Sequence, residues 1–222
     1  MSGRKLIFAN EEYYHIYNRG IARQPIFADK RDYERFFLTF SFYRFLLPPV
    51  KLSRLLQLPH DQREDILNAM NTKSKKLIDI ISYAFMPNHF HLLLKQNIDN
   101  GISIFLSKST NSYTRFFNLR HKRIGDLFQG VFKAVHIETD EQLIHLSRYI
   151  HLNPVASFII KDSELISYPW SSLLNYLDGK SSILELKSVL SHFGSPKNYK
   201  RFVFDQIEYG KKLELVKHLT IE

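Results

Sequence analysis

Cysteine is absent from all 222 residues, which excludes disulfides and any thiolate metal centre and suits a reducing cytoplasm. No apolar run approaches the roughly 20 residues that span a bilayer. The apolar stretch after Met1-Ser2-Gly3-Arg4-Lys5 is too short for a signal peptide. The chain therefore reads as cytoplasmic, with no membrane partner. Internal repeats and low-complexity segments are also missing. Acidic residues are the minority, with 22 Asp+Glu against 31 Lys+Arg and a formal net charge of +9. An excess of that sign attracts polyanions, of which nucleic acid is the commonest. Aromatic residues are plentiful instead: 18 Phe and 12 Tyr. Rings interleaved with cations suit the stacking of unpaired bases, although most of these rings must fill a core.

The pattern along the chain gives the elements. Residues 12–18 alternate as a strand ending at the Asn18-Arg19-Gly20 turn. Tyr33, Phe36, Phe37 and Phe40 recur at helical spacing within 30–45, and Pro48-Pro49 stop that helix. A polar insertion over about 47–76 carries Lys73, Lys75 and Lys76. Residues 77–85 read as a buried strand, followed by the Met86-Pro87-Asn88 turn and a strand over 89–95. A basic helix is expected over 102–122, then a loop between Gly125 and Gly130, then a strand over 131–138. Thr139 or Asp140 caps a further helix running to about 152, where Pro154 helps to stop it. The tail beyond is mostly helical by pattern. This order predicts an α+β fold, an antiparallel sheet with helices packed against it.

Two clusters carry chemistry. On a strand, His89 and His91 fall on one face, with Phe90, Leu92 and Leu94 on the other. Two imidazoles so placed can share a cation through neutral ring nitrogens; a pair of half-exposed strand histidines is the competing reading. On a helix, Tyr149 and Asn153 stand one turn apart, and His145 extends their stripe backward. Asn153 is equally suited to ending the helix. Tyr113, on the basic helix, is the second candidate nucleophile, against packing with Phe116 and Phe117. Arg19, Arg115, Arg120, Lys122, Arg123 and Lys133 are candidates for tracking a DNA backbone, against a solvated face. His136 and His151 read as structural or supporting groups, and Trp170 as a core anchor.

Taken together, Tyr13-His15-Ile16-Tyr17-Asn18-Arg19-Gly20, Met86 to Leu93, Gly125-Asp126-Leu127-Phe128-Gln129-Gly130, Tyr149 to Val155 and Tyr168-Pro169-Trp170-Ser171-Ser172 resemble the REP-associated tyrosine transposases. These are a branch of the single-tyrosine HUH transposases (the IS200-like superfamily), and the resemblance spans about residues 10–175. It implies a ferredoxin-like HUH endonuclease core over 8–156, with a helical extension over 157–222. It further implies His89, His91 and Asn153 as metal ligands and Tyr149 as the nucleophile; His145, on the same helix stripe, reads separately as a group orienting the tyrosine or a metal-bound water. The implied cofactor is Mg²⁺ or Mn²⁺. The implied partner is single-stranded DNA, hairpin-bearing, acted on by a monomer or homodimer through a 5′-phosphotyrosine and later strand transfer or rejoining. A replication-initiator or relaxase-type nickase, or a binding module without catalysis, are the alternatives. The insertion and the tail depart from the minimal pattern.

Overall fold

The computed structural model describes residues 6–219, with side chains to residue 214. The chain enters through β1 (Tyr13–Arg19) and a 3₁₀ turn (Ile21–Arg23), then α1 (Lys30–Tyr43). The insertion holds α2 (Leu52–Leu55) and α3 (His60–Lys73). The hairpin β2 (Ile78–Met86) and β3 (His89–Gln96) follows, then α4 (Gly101–Arg120), β4 (Lys133–Ile137) and α5 (Asp140–Ala156). The tail adds a 3₁₀ turn (Asp162–Glu164), α6 (Leu173–Asp178), α7 (Lys187–Leu190), α8 (Pro196–Phe204) and α9 (Ile207–Leu219). The four strands form one antiparallel sheet in the order β2-β3-β1-β4. The expected α+β architecture is what the chain adopts.

Alternation along β1 and β3 divides the molecule into two cores. Tyr14 and Ile16, with Phe90, Leu92 and Leu94, face α1 and α4, where Phe36, Phe40, Phe105 and Tyr113 are buried. On the other face Leu93, Ala84 and Met86 meet Leu143 and Ile150 of α5 and Tyr176 and Tyr199 of the tail. A small third cluster (Phe42, Phe45, Leu52, Leu55 and Met70) anchors the insertion to the end of α1, away from the histidine strand.

Helix ends follow local chemistry. Asp29 caps α1 by accepting from the amides of Arg31 and Asp32, and Thr139 caps α5 by accepting from Gln142. One expectation is corrected here: Pro154 lies inside α5, which continues to Ala156. A proline near a helix end forfeits only its own N–H bond. The turn after it is closed from outside, with the Ser157 amide bonded to Asn153 O and that of Ile159 to Pro154 O at 3.0 Å.

The tail packs into the same body and covers the β2 edge. Phe85 N donates to Trp170 O (2.9 Å) and Ser172 N to Tyr83 O (3.0 Å). The Tyr168 and Tyr176 hydroxyls donate to the carbonyls of Phe85 (2.7 Å) and Ile81 (3.0 Å). The Tyr-Pro-Trp-Ser-Ser stretch thus satisfies backbone groups that an edge strand leaves open. Trp170, half-buried, stacks on Tyr33 with ring centroids 4.6 Å apart.

Candidate active site

The polar site begins where the α5-facing side of the sheet stops being apolar. β1 and β3 run antiparallel with Tyr17 opposite His91 and Arg19 opposite His89. That pairing is locked at the strand end by Gly20, whose amide donates to Asn88 O at 2.8 Å. A Cβ on Gly20 would meet Gln24 O at 2.1 Å, so only glycine allows this close turn. The 125–130 loop docks on the same end, with Gln129 N donating to Arg19 O at 2.8 Å. Arg19 also donates through Nε to Gln129 Oε1.

Above the strands, α5 lays Tyr149 and Asn153 over the histidines. The rings of His89 and His91 are 5.2 Å apart and nearly perpendicular. The Tyr149 ring stands edge-on to His91 at 5.5 Å and to His15 at 6.1 Å. Asn153 is buried, and its Oδ1 lies 3.4 Å from His89 Nε2. The four side chains read from the sequence as one site are therefore brought together in space. His15 joins them: its Nε2 is 2.8 Å from His91 Nδ1. Its signal in the sequence was the two-residue spacing from Tyr17 on one strand face, but only the β1–β3 register puts it beside His91.

The proton arrangement suits a cation. Burial lowers the His89 pKa, an effect partly offset by the Asn153 bond and the Glu214 charge and slightly reinforced by Arg19; burial also lowers His15 to about 4. Both rings are neutral near pH 7. His89 Nδ1 lies 2.6 Å from Asn88 Oδ1, an oxygen that only accepts, so the single proton of the neutral ring sits there. His89 Nε2 then presents a lone pair toward Asn153 Oδ1, another acceptor. Two acceptors facing each other in this way suit a cation between them. Ligand atoms each about 2.1 Å from one ion and roughly at right angles lie about 3 Å apart. Two imidazoles and an amide oxygen thus fit a divalent ion by donor chemistry, while no group of three His, Cys, Asp or Glu among the described residues is placed to hold one.

Beside the histidines opens a cleft of about 570 Å³, lined by Tyr17, Arg19, Arg23, Lys133 and Gln129 along with Asn88, His89, His91 and Glu214. Among the described residues its rim carries three cations against one carboxylate. Of the basic residues singled out in the sequence, Arg19 and Lys133 line this cleft, and Arg23 joins them unforeseen. A larger shallow depression of about 730 Å³, between Phe158 and Lys211, holds none of the site residues.

Other candidates are placed elsewhere. Arg120 is tied to Asp29 (2.6 and 2.8 Å) and to buried Asp32 (2.7 Å), an internal ion pair joining α4 to the start of α1. Arg123 lies over the Phe117 ring at 5.8 Å and donates to Asn118 Oδ1 at 3.4 Å. Arg115 and Lys122 are exposed but line no part of the cleft. His145 meets Arg148 through Nδ1 at 2.7 Å and Phe202 through its ring, and lines a separate cavity together with Tyr149. Tyr113 is fully buried, donates to Ile26 O at 2.5 Å, and is held far above its ordinary pKa chiefly by burial.

Behind the site, His151 is fully buried and bridges Tyr199 Oη and Ser172 Oγ at 2.7 Å each, with its pKa pulled to about 3 by burial. It pins the tyrosine helix to α8 and to the motif covering β2.

This arrangement is an α+β domain with a histidine pair on the sheet and a tyrosine on the covering helix. A solved structure of a REP-associated tyrosine transposase bound to a REP hairpin superimposes with a TM-score of 0.52. That match spans 83% of this chain and 92% of the other at 13% identity, which establishes the shared fold. The tRNA(His) guanylyltransferase of Saccharomyces cerevisiae scores only 0.33 at 12% identity, over 100% of this chain and 83% of its own, too low to bear on the fold. No curated protein matches in sequence. Residues 54–153 match the family described as IS200-like transposase, a span holding His89, His91, Tyr149 and Asn153.

Proposed function

We propose that the protein is a metal-dependent endonuclease and transposase of the REP-associated tyrosine type, cutting single-stranded, hairpin-bearing DNA. The observation that carries this reading is the convergence of Tyr149 and Asn153 of α5 on His89 and His91 of β3. A related fold was solved with a REP hairpin bound, and the Arg19–Arg23–Lys133 rim of the cleft suits a phosphate backbone.

In the proposed reaction Tyr149 Oη attacks the scissile phosphorus. The Tyr O–P bond forms, the P–O3′ bond breaks, and its electron pair leaves on O3′, which takes a proton to become a 3′-OH. The phenolic proton is released to solvent. A 3′-OH later attacks the 5′-phosphotyrosine, expelling the tyrosine and rejoining a strand, so the phosphodiester energy is conserved. His89, His91 and Asn153 would hold Mg²⁺ or Mn²⁺. Such an ion, when bound, supplies charge stabilisation at the phosphate oxygens. Imidazole nitrogens favour Mn²⁺ over the oxygen-preferring Mg²⁺. Arg19 and Lys133 orient the strand, and the edge contact with His91 and His15 keeps the Tyr149 ring over the site.

A denaturing gel of protein incubated with hairpin-bearing single-stranded DNA tests this. A protein–DNA adduct that needs Mn²⁺ or Mg²⁺ and vanishes in Tyr149→Phe is the expected result. Binding without an adduct under any divalent ion would favour a non-catalytic module.

A further inference from the structure

His15 lies outside the proposed ligand and nucleophile set, yet its Nε2 lies 2.8 Å from Nδ1 of the buried member of the histidine pair. We infer that His15 is a positioning residue for His91, as Asn88 is for His89: each accepts the Nδ1 proton of its histidine and leaves Nε2 as the ligand nitrogen. This rests on the cation-clamp reading of His89, His91 and Asn153.

A neutral imidazole has one N–H and one lone pair. At 2.8 Å, His15 Nε2 and His91 Nδ1 share one proton, and it can belong to either ring. If His15 held it, the proton of His91 would be on Nε2, and His91 could not bind a cation there. If His91 holds it, Nε2 carries the lone pair. At His89 the choice is already made, because the partner at 2.6 Å is an amide oxygen. Matching the two ligands requires that His15 accept and carry its own proton on Nδ1. Histidine ligands to metals are usually fixed this way, by a partner on the other nitrogen.

The partner is also held rigidly. His15 lies on the central strand β1, diagonal to His91 in the β1–β3 register. Its ring lies nearly parallel to that of His91 and meets it edge to edge (centroids 5.1 Å, planes 21° apart), as an in-plane hydrogen bond requires, and packs against Tyr17 at 4.9 Å. The acceptor thus approaches from a fixed direction, which is what orienting a ligand ring demands.

Two measurements on the full chain without DNA test this. Nitrogen-15 NMR of the imidazoles, with no metal added, reports which nitrogen of His91 is protonated. The expected result is Nδ1–H in the wild type, and Nε2–H there overturns the inference without any variant. Mn²⁺ titration followed by EPR then compares variants. His15→Phe keeps a ring but offers no acceptor, and Mn²⁺ affinity should fall about 10–100-fold. His15→Gln offers an amide oxygen and should recover most of it. Wild-type affinity in His15→Phe, or equal loss in both variants, overturns the inference. If the wild type itself bound no Mn²⁺, the clamp reading would fail, and the tautomer spectrum would still decide the place of the proton.

Discussion

Tyr113 and Tyr149 sit on helices packed against opposite faces of one sheet, and their surroundings differ in nearly every respect. Tyr113 is fully buried among Phe27, Phe36 and Phe117, with its hydroxyl committed to Ile26 O. Burial makes its phenolate inaccessible. Tyr149 is 37% exposed and borders His15 and His91. The same residue type is a core strut on one face and a candidate nucleophile on the other. What separates them is the strand beneath: β3 offers Phe90, Leu92 and Leu94 to α4's side, and His89 and His91 to α5's.

The largest effect should come from exchanging the two phenols. Tyr149→Phe should reduce adduct formation by at least about 10³-fold, since no other group replaces a covalent nucleophile. Its stability should stay within about 0.5 kcal/mol, as for a surface change. Tyr113→Phe should leave adduct formation within about twofold and cost about 1–2 kcal/mol in urea unfolding, because Ile26 O loses its donor. The reverse pattern would abolish the contrast between the faces.

The support behind Tyr149 should show next. His151→Leu removes the bridge between two buried hydroxyls, leaving Ser172 only its bonds to the Tyr83 backbone and Tyr199 its bond to Ser147. A loss of about 2–4 kcal/mol is expected from urea denaturation; no loss would mean that α5 is held by its apolar stripe alone.

A smaller effect separates the cations. Arg19→Ala and Lys133→Ala should each weaken single-strand binding and lower the salt slope by about one, as read from affinities at several salt concentrations. Arg120→Ala should leave that slope unchanged, because its guanidinium is occupied by Asp29 and Asp32. An altered slope in Arg120→Ala would move the DNA path toward α4.

The smallest is a pH effect on the same ion pair. The Arg120 hydrogen bond, foremost among several contacts, holds Asp29 at about pKa 2, below the usual carboxylate value. A depressed acid contributes stability that is present above its unfolded pKa and lost as pH falls through the folded one. Wild-type stability should therefore decline between about pH 4 and pH 2. In Arg120→Ala that decline should be shallower in pH-dependent unfolding.

Local patterns carried most of this into view. Alternation in 89–95 and the one-turn spacing of Tyr149 and Asn153 mark both halves of the site, since each depends on the period of a single element. Strand pairing is different, because register is a long-range property. His15 could be placed on a strand face by its spacing from Tyr17, but its pairing with His91 follows only from β1 lying beside β3. The roles of Arg120 and His145 were hidden for the same reason: Asp29 lies 91 residues from Arg120, and Phe202 comes from the tail. Pro154 misled locally, since its usual helix-ending effect is offset by the turn closed from Ser157 and Ile159. The Tyr168–Ser172 stretch was visible as a motif, while its task of covering β2 was not.

The central claim, that Tyr149 acts over the His89–His91 pair, is tested most directly by mapping the covalent adduct. Protein reacted with hairpin-bearing single-stranded DNA in Mn²⁺ would be digested with nuclease and protease and sequenced by mass spectrometry. The account predicts a nucleotide on the Tyr149 peptide alone, lost when His89 and His91 are replaced by alanine. A nucleotide on another tyrosine, or one that persists without both histidines, would contradict it.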